Sequence, residues 1–214
     1  MKRRVLFLFL LVAVASLLSA EITLPFSMDF DSLSRGDNIP GGRIRGDADS
    51  IPKIVTIISH SGTNSLFMAD YSTTDSSELI FTLPEGMPRG TVKYAFYLPA
   101  IDPGLIYCTL GTSTNSSGRV VDVQITSKGN IRCRKPEDQS LETVSEGISY
   151  DTWHTVEISW DISTNQYLLY VNGVSIAQKV LISNEAPTHL IFKVGSDAKS
   201  AHTAYLDDIS LRIE

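Results

Sequence analysis

Residues 153–180, WHTVEISWDISTNQYLLYVNGVSIAQKV, decide the fold. His154, Val156, Ile158 and Trp160 recur at every second position, the period of a strand with one face in a core. Tyr167–Val171 and Val174–Lys179 then flank Asn172-Gly173. A two-residue type I′ turn needs positive φ at both central positions, which Asn and Gly tolerate, so the pair predicts a tight antiparallel hairpin.

The same period extends outward in both directions. It marks Ile22, Leu24, Phe26, Met28 and Phe30, then Leu79, Phe81 and Leu83, then Val92, Tyr94, Phe96 and Leu98, then Val121, Val123 and Ile125. Residues 53–60, 105–111, 130–134, 189–194 and 204–213 read as further strands, and turn signals such as Pro84-Glu85-Gly86, Asp102-Pro103-Gly104 and Lys128-Gly129-Asn130 separate them. No stretch after the N-terminal segment has a helical period. About a dozen short strands with regular turns predict an all-β fold, a two-sheet antiparallel β-sandwich or jelly roll. Residues 32–50, rich in Gly, Asp, Arg and Ser, read as one long surface loop.

The start of the chain predicts export. Lys2, Arg3 and Arg4 precede an apolar run from Val5 to Leu18, and Ser19-Ala20 offers small residues before Glu21. Residues 1–20 therefore read as a signal peptide cut after Ala20, with Ala13-Val14-Ala15 offering another cut. The run is shorter than the roughly 18 residues that span a bilayer. The expectation is a secreted protein, periplasmic or extracellular, with residues 21–214 as a single domain and no transmembrane segment after signal cleavage. Eighteen Lys and Arg stand against 24 Asp and Glu, and the signal takes three basic and no acidic residues with it, moving the net charge from −6 to −9. Such a balance argues against nucleic acid or an anionic membrane as partner. Cys108 and Cys133 are the only cysteines. An oxidising compartment would allow them to pair. A simple meander of 105–111, 119–126 and 130–134 would hold them about 9–10 Å apart, two strand spacings, so two free thiols are expected.

Three segments carry a family resemblance. Tyr150-Asp-Thr-Trp-His-Thr-Val-Glu-Ile-Ser-Trp-Asp161 with Tyr167-Leu-Leu-Tyr-Val-Asn-Gly173 resembles the paired strands of laminin G-like and concanavalin A-like jelly rolls. Asp29-Phe-Asp31, Ser61-Gly-Thr-Asn-Ser-Leu-Phe67 and Tyr205-Leu-Asp-Asp-Ile-Ser-Leu211 are similar to segments of related carbohydrate-binding jelly rolls. On this resemblance Trp153 would plug the core. The scaffold hosts lectins, adhesion modules, glucanases and polysaccharide lyases, so the resemblance implies a fold more than an activity.

Known catalytic sets on this scaffold are incomplete in the sequence. No E-x-D-x-E strand, which would serve a glucanase, is present. The alginate-lyase pattern R-x-E-L, Q-I-H, Y-F-K-A-G-x-Y is matched in order by Ser76-Ser-Glu-Leu79, Gln124-Ile-Thr126 and Ile191-Phe-Lys-Val-Gly195. Glu78, Gln124, Lys193 and Gly195 agree with it. Ser76 replaces the arginine, Thr126 the histidine, and no tyrosine follows Gly195 at the proton-transfer position. No catalytic residue is therefore assigned, and a lyase of this type is the alternative. The four His lack zinc spacing, and His154 reads as a satisfied structural histidine. Arg45-Gly46-Asp47 matches a cell-adhesion tripeptide, a match short enough to arise by chance, and Asn115-Ser116-Ser117 is a glycosylation acceptor only in a host that glycosylates.

By analogy with such jelly rolls, the outward side of one curved sheet should be the binding groove. Strand parity selects Lys93 and Tyr97, then Asp122, Gln124 and Thr126, then Arg132 and Arg134, and Lys193. Cations, amides and a tyrosine would suit a polysaccharide or cell-surface glycan, an acidic polysaccharide above all. A structural or protein-interaction module of the cell surface is the further alternative. One structural Ca2+ is also expected. Asp207 shares apparent core parity with Ile209, Leu211 and Ile213, and a buried carboxylate needs a partner. Asp31 is its co-ligand by resemblance, with Asp29 and Asp208 in reserve, the plain alternative being a solvated acidic strand end.

Overall fold

Fifteen strands carry the chain in a computed structural model that describes residues 21–72, 75–84, 87–195 and 202–213. The expected signal peptide, residues 1–20, lies outside the described residues. The strands are β1 (Phe26–Met28), β2 (Gly42–Arg45), β3 (Lys53–Val55), β4 (Ser65–Asp70) and β5 (Ser77–Thr82). Next come β6 (Arg89–Tyr97), β7 (Ile106–Gly111), β8 (Arg119–Ile125), β9 (Ile131–Arg134) and β10 (Leu141–Ser145). The last are β11 (Trp153–Asp161), β12 (Gln166–Val171), β13 (Val174–Val180), β14 (His189–Val194) and β15 (His202–Arg212). The first sheet runs β13-β12-β11-β6-β15-β4-β3, with β1 also on β15, and the second runs β10-β9-β8-β7-β14-β5-β2. Strand pairings are antiparallel throughout, as expected for a two-sheet β-sandwich of jelly-roll type.

The alternating residues read from the sequence meet between the sheets. Val92, Tyr94 and Phe96 of the first sheet, Leu98 just after them, and Leu79, Phe81 and Phe192 of the second are buried. Tyr94 and Phe192 join them edge to face at 4.9 Å. Asn172 and Gly173 take φ of 50° and 77° between the paired residues Val171 and Val174, which is the predicted hairpin. The meander β7-β8-β9 also forms. Cys108 and Cys133 both face Val123 in it, and both are buried and free.

Three expectations change. Residues 32–50 are not all loop, because Gly42–Arg45 forms the edge strand of the second sheet, where Arg45 meets Glu78 at 3.3 Å. Asp47 of the same tripeptide accepts the Asp49 and Ser50 N–H groups, so Arg45-Gly46-Asp47 is built into the local backbone. Trp153 does not plug the core: it is half-buried opposite Tyr97 on the outward parity, and the fully enclosed indole is that of Trp160, whose Nε1 donates to Met87 O at 3.3 Å. The parity of Asp207 also differs. Ala204 and Leu206 face the core, then the register of β15 shifts between Asp207 and Ser210, with Asp208 at φ 47°, and Ile209 and Leu211 face the core again. A bulge inserts residues without a partner, so counting parity back from Leu211 crosses it and puts Asp207 on the wrong side. Asp207 lies opposite Ala95 on the side of Tyr205, away from the core.

Candidate functional site

The outward side of the second sheet holds one unbroken cross-strand row. Arg45 faces Glu78, Glu78 faces Lys193, Lys193 faces Tyr107, Tyr107 faces Gln124 and Gln124 faces Arg132, drawing on six adjacent strands. Neighbouring side chains in such a row lie about 5 Å apart, so the six form a continuous strip. Lys193 Nζ sits 5.8 Å from the centre of the Tyr107 ring, a cation–π contact. Beside the strip is a cleft of about 300 Å³ reached by Lys193, Tyr107, Arg119 and Arg134, over which Asn115 and Ser116 of the 3-10 turn Ser116–Gly118 stand.

A second row supports the first from one step along the strands. Asp122 is wholly buried, accepts from Arg134 Nε at 2.6 Å, Thr109 Oγ1 at 3.3 Å and Gln124 Nε2 at 3.4 Å, and is ion-paired with Arg119 Nε at 3.3 Å. A buried carboxylate held by two guanidinium groups has no capacity to spare for a ligand, and its work is to aim Arg119, Arg134 and Gln124. Asp122 is thus an anchor, in place of the ligand contact read from parity. Arg134 is further tied to Gln139 O at 2.5 Å. Thr126 turns inward to the local turn, where its hydroxyl accepts the Lys128 and Asn130 N–H groups.

The expected groove residues divide between the two faces of the sandwich. Gln124, Arg132 and Lys193 share the strip on the second sheet. Lys93 and Tyr97 belong to β6, in the first sheet, and face solvent on the opposite side of the molecule. Parity names the side of a sheet but not which sheet a strand joins, so it merged two surfaces into one. Tyr107, central to the strip, is not among the residues expected from the sequence; Ile106, Cys108 and Leu110 on the core side of β7 are the parity that would have placed it outward. Glu78, Gln124 and Lys193, the positions that match the alginate-lyase pattern, do fall in the one row. Gly195 also has a structural reason, since at its φ of 120° a Cβ would lie 1.9 Å from Asp70 Oδ2. His154 is satisfied as expected, between Ser149 O at 3.0 Å and Asn172 Nδ2 at 3.0 Å.

The four carboxylates named for calcium gather around residues 59–64, but as hydrogen-bond acceptors. Asp207 Oδ2 accepts the N–H groups of His60 at 2.8 Å and Ser61 at 3.3 Å, and Oδ1 accepts that of Asp208 at 2.8 Å. Burial is the main cause that pushes the Asp207 carboxyl up to about 6, against the pull of those N–H donors. Asp31 Oδ1 accepts from the Thr63 and Asn64 N–H groups at 2.7 and 2.9 Å, which lower its carboxyl below the usual range. Asp208 takes His60 Nδ1 at 2.5 Å and Ser61 Oγ at 2.7 Å, and Asp29 takes the Asp31 N–H at 3.1 Å. Among the described residues no three His, Cys, Asp or Glu side chains are grouped to hold a metal ion. Backbone N–H groups of the loop meet Asp207 and Asp31, and an imidazole and a hydroxyl meet Asp208, so several of the oxygens that a calcium shell of 6–8 would draw on are engaged in hydrogen bonds.

No family model matches the chain, and no curated protein matches it in sequence. Among solved structures it is similar to a sialidase with a TM-score of 0.73 and 10% identity over 88% of this chain, which corresponds to 18% of the sialidase's length. Cellulose induced protein Cip1 superposes with a TM-score of 0.60 at 15% identity, over 87% of this chain and 96% of that one. The alginate lyase vAL-1 from Chlorella virus does so at 0.52 and 11%, over 76% and 90%. At such identities the likeness establishes the β-sandwich fold. Among the described residues no helix is long and apolar enough to cross a membrane.

Proposed function

We propose that the chain is a secreted, non-catalytic carbohydrate-binding domain of concanavalin A-like type, and that the strip on the second sheet binds an acidic polysaccharide. The carrying observation is the unbroken row Arg45, Glu78, Lys193, Tyr107, Gln124 and Arg132. With Arg119 and Arg134 alongside, five cations there face two carboxylates, in a protein whose net charge is −6. Among the described residues neither Arg132 nor Lys193 pairs with a carboxylate, so both can meet uronate or sulfate groups along the row that Tyr107 centres. Structural neighbours named sialidase, Cip1 and alginate lyase support a carbohydrate-related role.

A second reading is favoured by one specific feature. Glu78, Gln124 and Lys193 match a lyase pattern and adjoin a tyrosine, Tyr107, which could stand where proton transfer is needed. One experiment tests both. Protein lacking residues 1–20 is passed over immobilised alginate, polygalacturonate and neutral dextran while ultraviolet absorbance of unsaturated products is followed. Retention on the uronates without absorbance is expected, and it should fall about tenfold or more in Arg132→Ala/Lys193→Ala and weaken with salt, which screens exposed charges. Rising absorbance would establish the lyase. Retention untouched by the double variant would move the site elsewhere.

A further inference from the structure

The first sheet carries a different row on its outward side. Phe67, Tyr205, Tyr97 and Trp153 come from the adjacent strands β4, β15, β6 and β11 and stand directly opposite one another. Their ring centres follow at 5.0, 5.6 and 5.6 Å, and each ring keeps part of its surface exposed. Two residues further along the strands, the side chains in register shrink to Ala95 and Thr155, and β15 bulges between Asp207 and Ser210, leaving Asp208 without a partner on β6. This opens a cleft of about 350 Å³ whose lining includes Ala95, Thr155, Lys93, His60, Asp208 and Asp29. His60 joins cleft to row, with its ring 5.7 Å from that of Trp153 and Nδ1 2.5 Å from Asp208 Oδ2.

Packing alone does not account for these residues. Trp153 Nε1 is buried with no acceptor among the described residues, a cost of about 1–3 kcal/mol that a phenylalanine would avoid. Tyr97 is held in place before any ligand arrives, because its hydroxyl donates to Asp151 Oδ1 at 3.2 Å while Asp151 also takes the Ala100 N–H at 2.9 Å. Ring order of this kind lowers the entropy lost on binding.

We propose that this face is a second saccharide site, selective for an uncharged pyranose chain. Aromatic rings offer stacking surfaces to the apolar faces of sugar rings, and Asp208, Asp29 and Thr155 accept from sugar hydroxyls. Two carboxylates against one ammonium disfavour a polyanion, in contrast to the cationic strip on the other sheet. The cleft lies at the small end of ligand pockets, the size of one or two sugar rings. The domain would then hold an acidic and a neutral glycan on opposite faces. Neither site depends on the other.

The test uses the intrinsic fluorescence of the two tryptophans, of which Trp160 is enclosed and Trp153 reports the site. Protein without residues 1–20 is titrated with cellohexaose, chitohexaose, mannohexaose, xylohexaose and maltohexaose in roughly 1 M salt, where exposed charge pairs are screened. A saturable change with at least one hexaose is expected. It should weaken about tenfold or more in Tyr97→Ala and in Thr155→Arg, which fills the cleft from an outward position without touching the core. Arg132→Ala/Lys193→Ala should leave it unchanged, so failure of the acidic site and of this one are separable. No response to any of the five sugars, or a response that survives Thr155→Arg, overturns the proposal.

Discussion

Arg134 Nε lies 2.6 Å from an oxygen of Asp122, a carboxylate without solvent exposure. The pair sits under the cationic strip, and Arg119, Thr109 and Gln124 complete its shell. Removing one member of a buried ion pair strands the other, at a cost of about 3–5 kcal/mol. Asp122→Ala should therefore lower the unfolding free energy extrapolated from urea by an amount in that range, and Arg134→Ala should do nearly as much. A variant as stable as the parent would show that the carboxylate is hydrated and the anchor reading mistaken.

Asp207 makes stability depend on pH in an unusual direction. Burial holds its carboxyl at about 6 against an ordinary 3.8, so between these values the folded protein binds more protons than the unfolded chain. Its contribution is most favourable below about pH 4 and declines as pH climbs through about 6. Asp31, lowered by the Thr63 and Asn64 N–H groups, works in the other window: its contribution is present above 3.8 and is lost as pH falls further. The stability gap between the parent and Asp207→Asn should change across pH 4 to 6, roughly, and stay constant above it. A gap that is flat across that interval counts against the burial of this group.

Both thiols should be free and unreactive in the folded protein. Cys108 and Cys133 are separated by β8, and burial raises both thiols above their usual range, Cys108 the further. Alkylation without reductant should leave the native mass unchanged and add two groups after denaturation. Denatured protein that still resists labelling would mean a bond, and with it a different arrangement of β7, β8 and β9.

Calcium should not matter to stability. Loop residues 60–64 already meet Asp207, Asp208 and Asp31 with amide, hydroxyl and imidazole donors. Melting temperatures with excess calcium and with chelator are expected to agree. A clear rise with calcium would require the loop to release these carboxylates and would restore the ion.

The sequence by itself determined the fold class and most of its strands, because the information is local. Alternation along 92–98, 121–125 and 154–160 fixes which side of each strand is apolar, and Asn172-Gly173 fixes a turn, whatever the rest of the chain does. It also sufficed to separate Cys108 from Cys133, since three consecutive strands formed the simplest meander. What it could not determine was which strands share a sheet. Lys93 and Tyr97 obey the same parity rule as Gln124, Arg132 and Lys193, yet β6 lies in the first sheet and β8, β9 and β14 in the second. Strand order depends on contacts between residues distant along the chain, such as Lys193 beside both Glu78 and Tyr107, and no local period records them. Asp207 was misplaced for a related reason: the bulge that follows it breaks the period of two, and its position is set by loop residues His60 and Ser61, nearly 150 places earlier in the chain. Only the tertiary structure brought these together, and with them the opposed faces, one cationic and one aromatic, on which the two proposed sites rest.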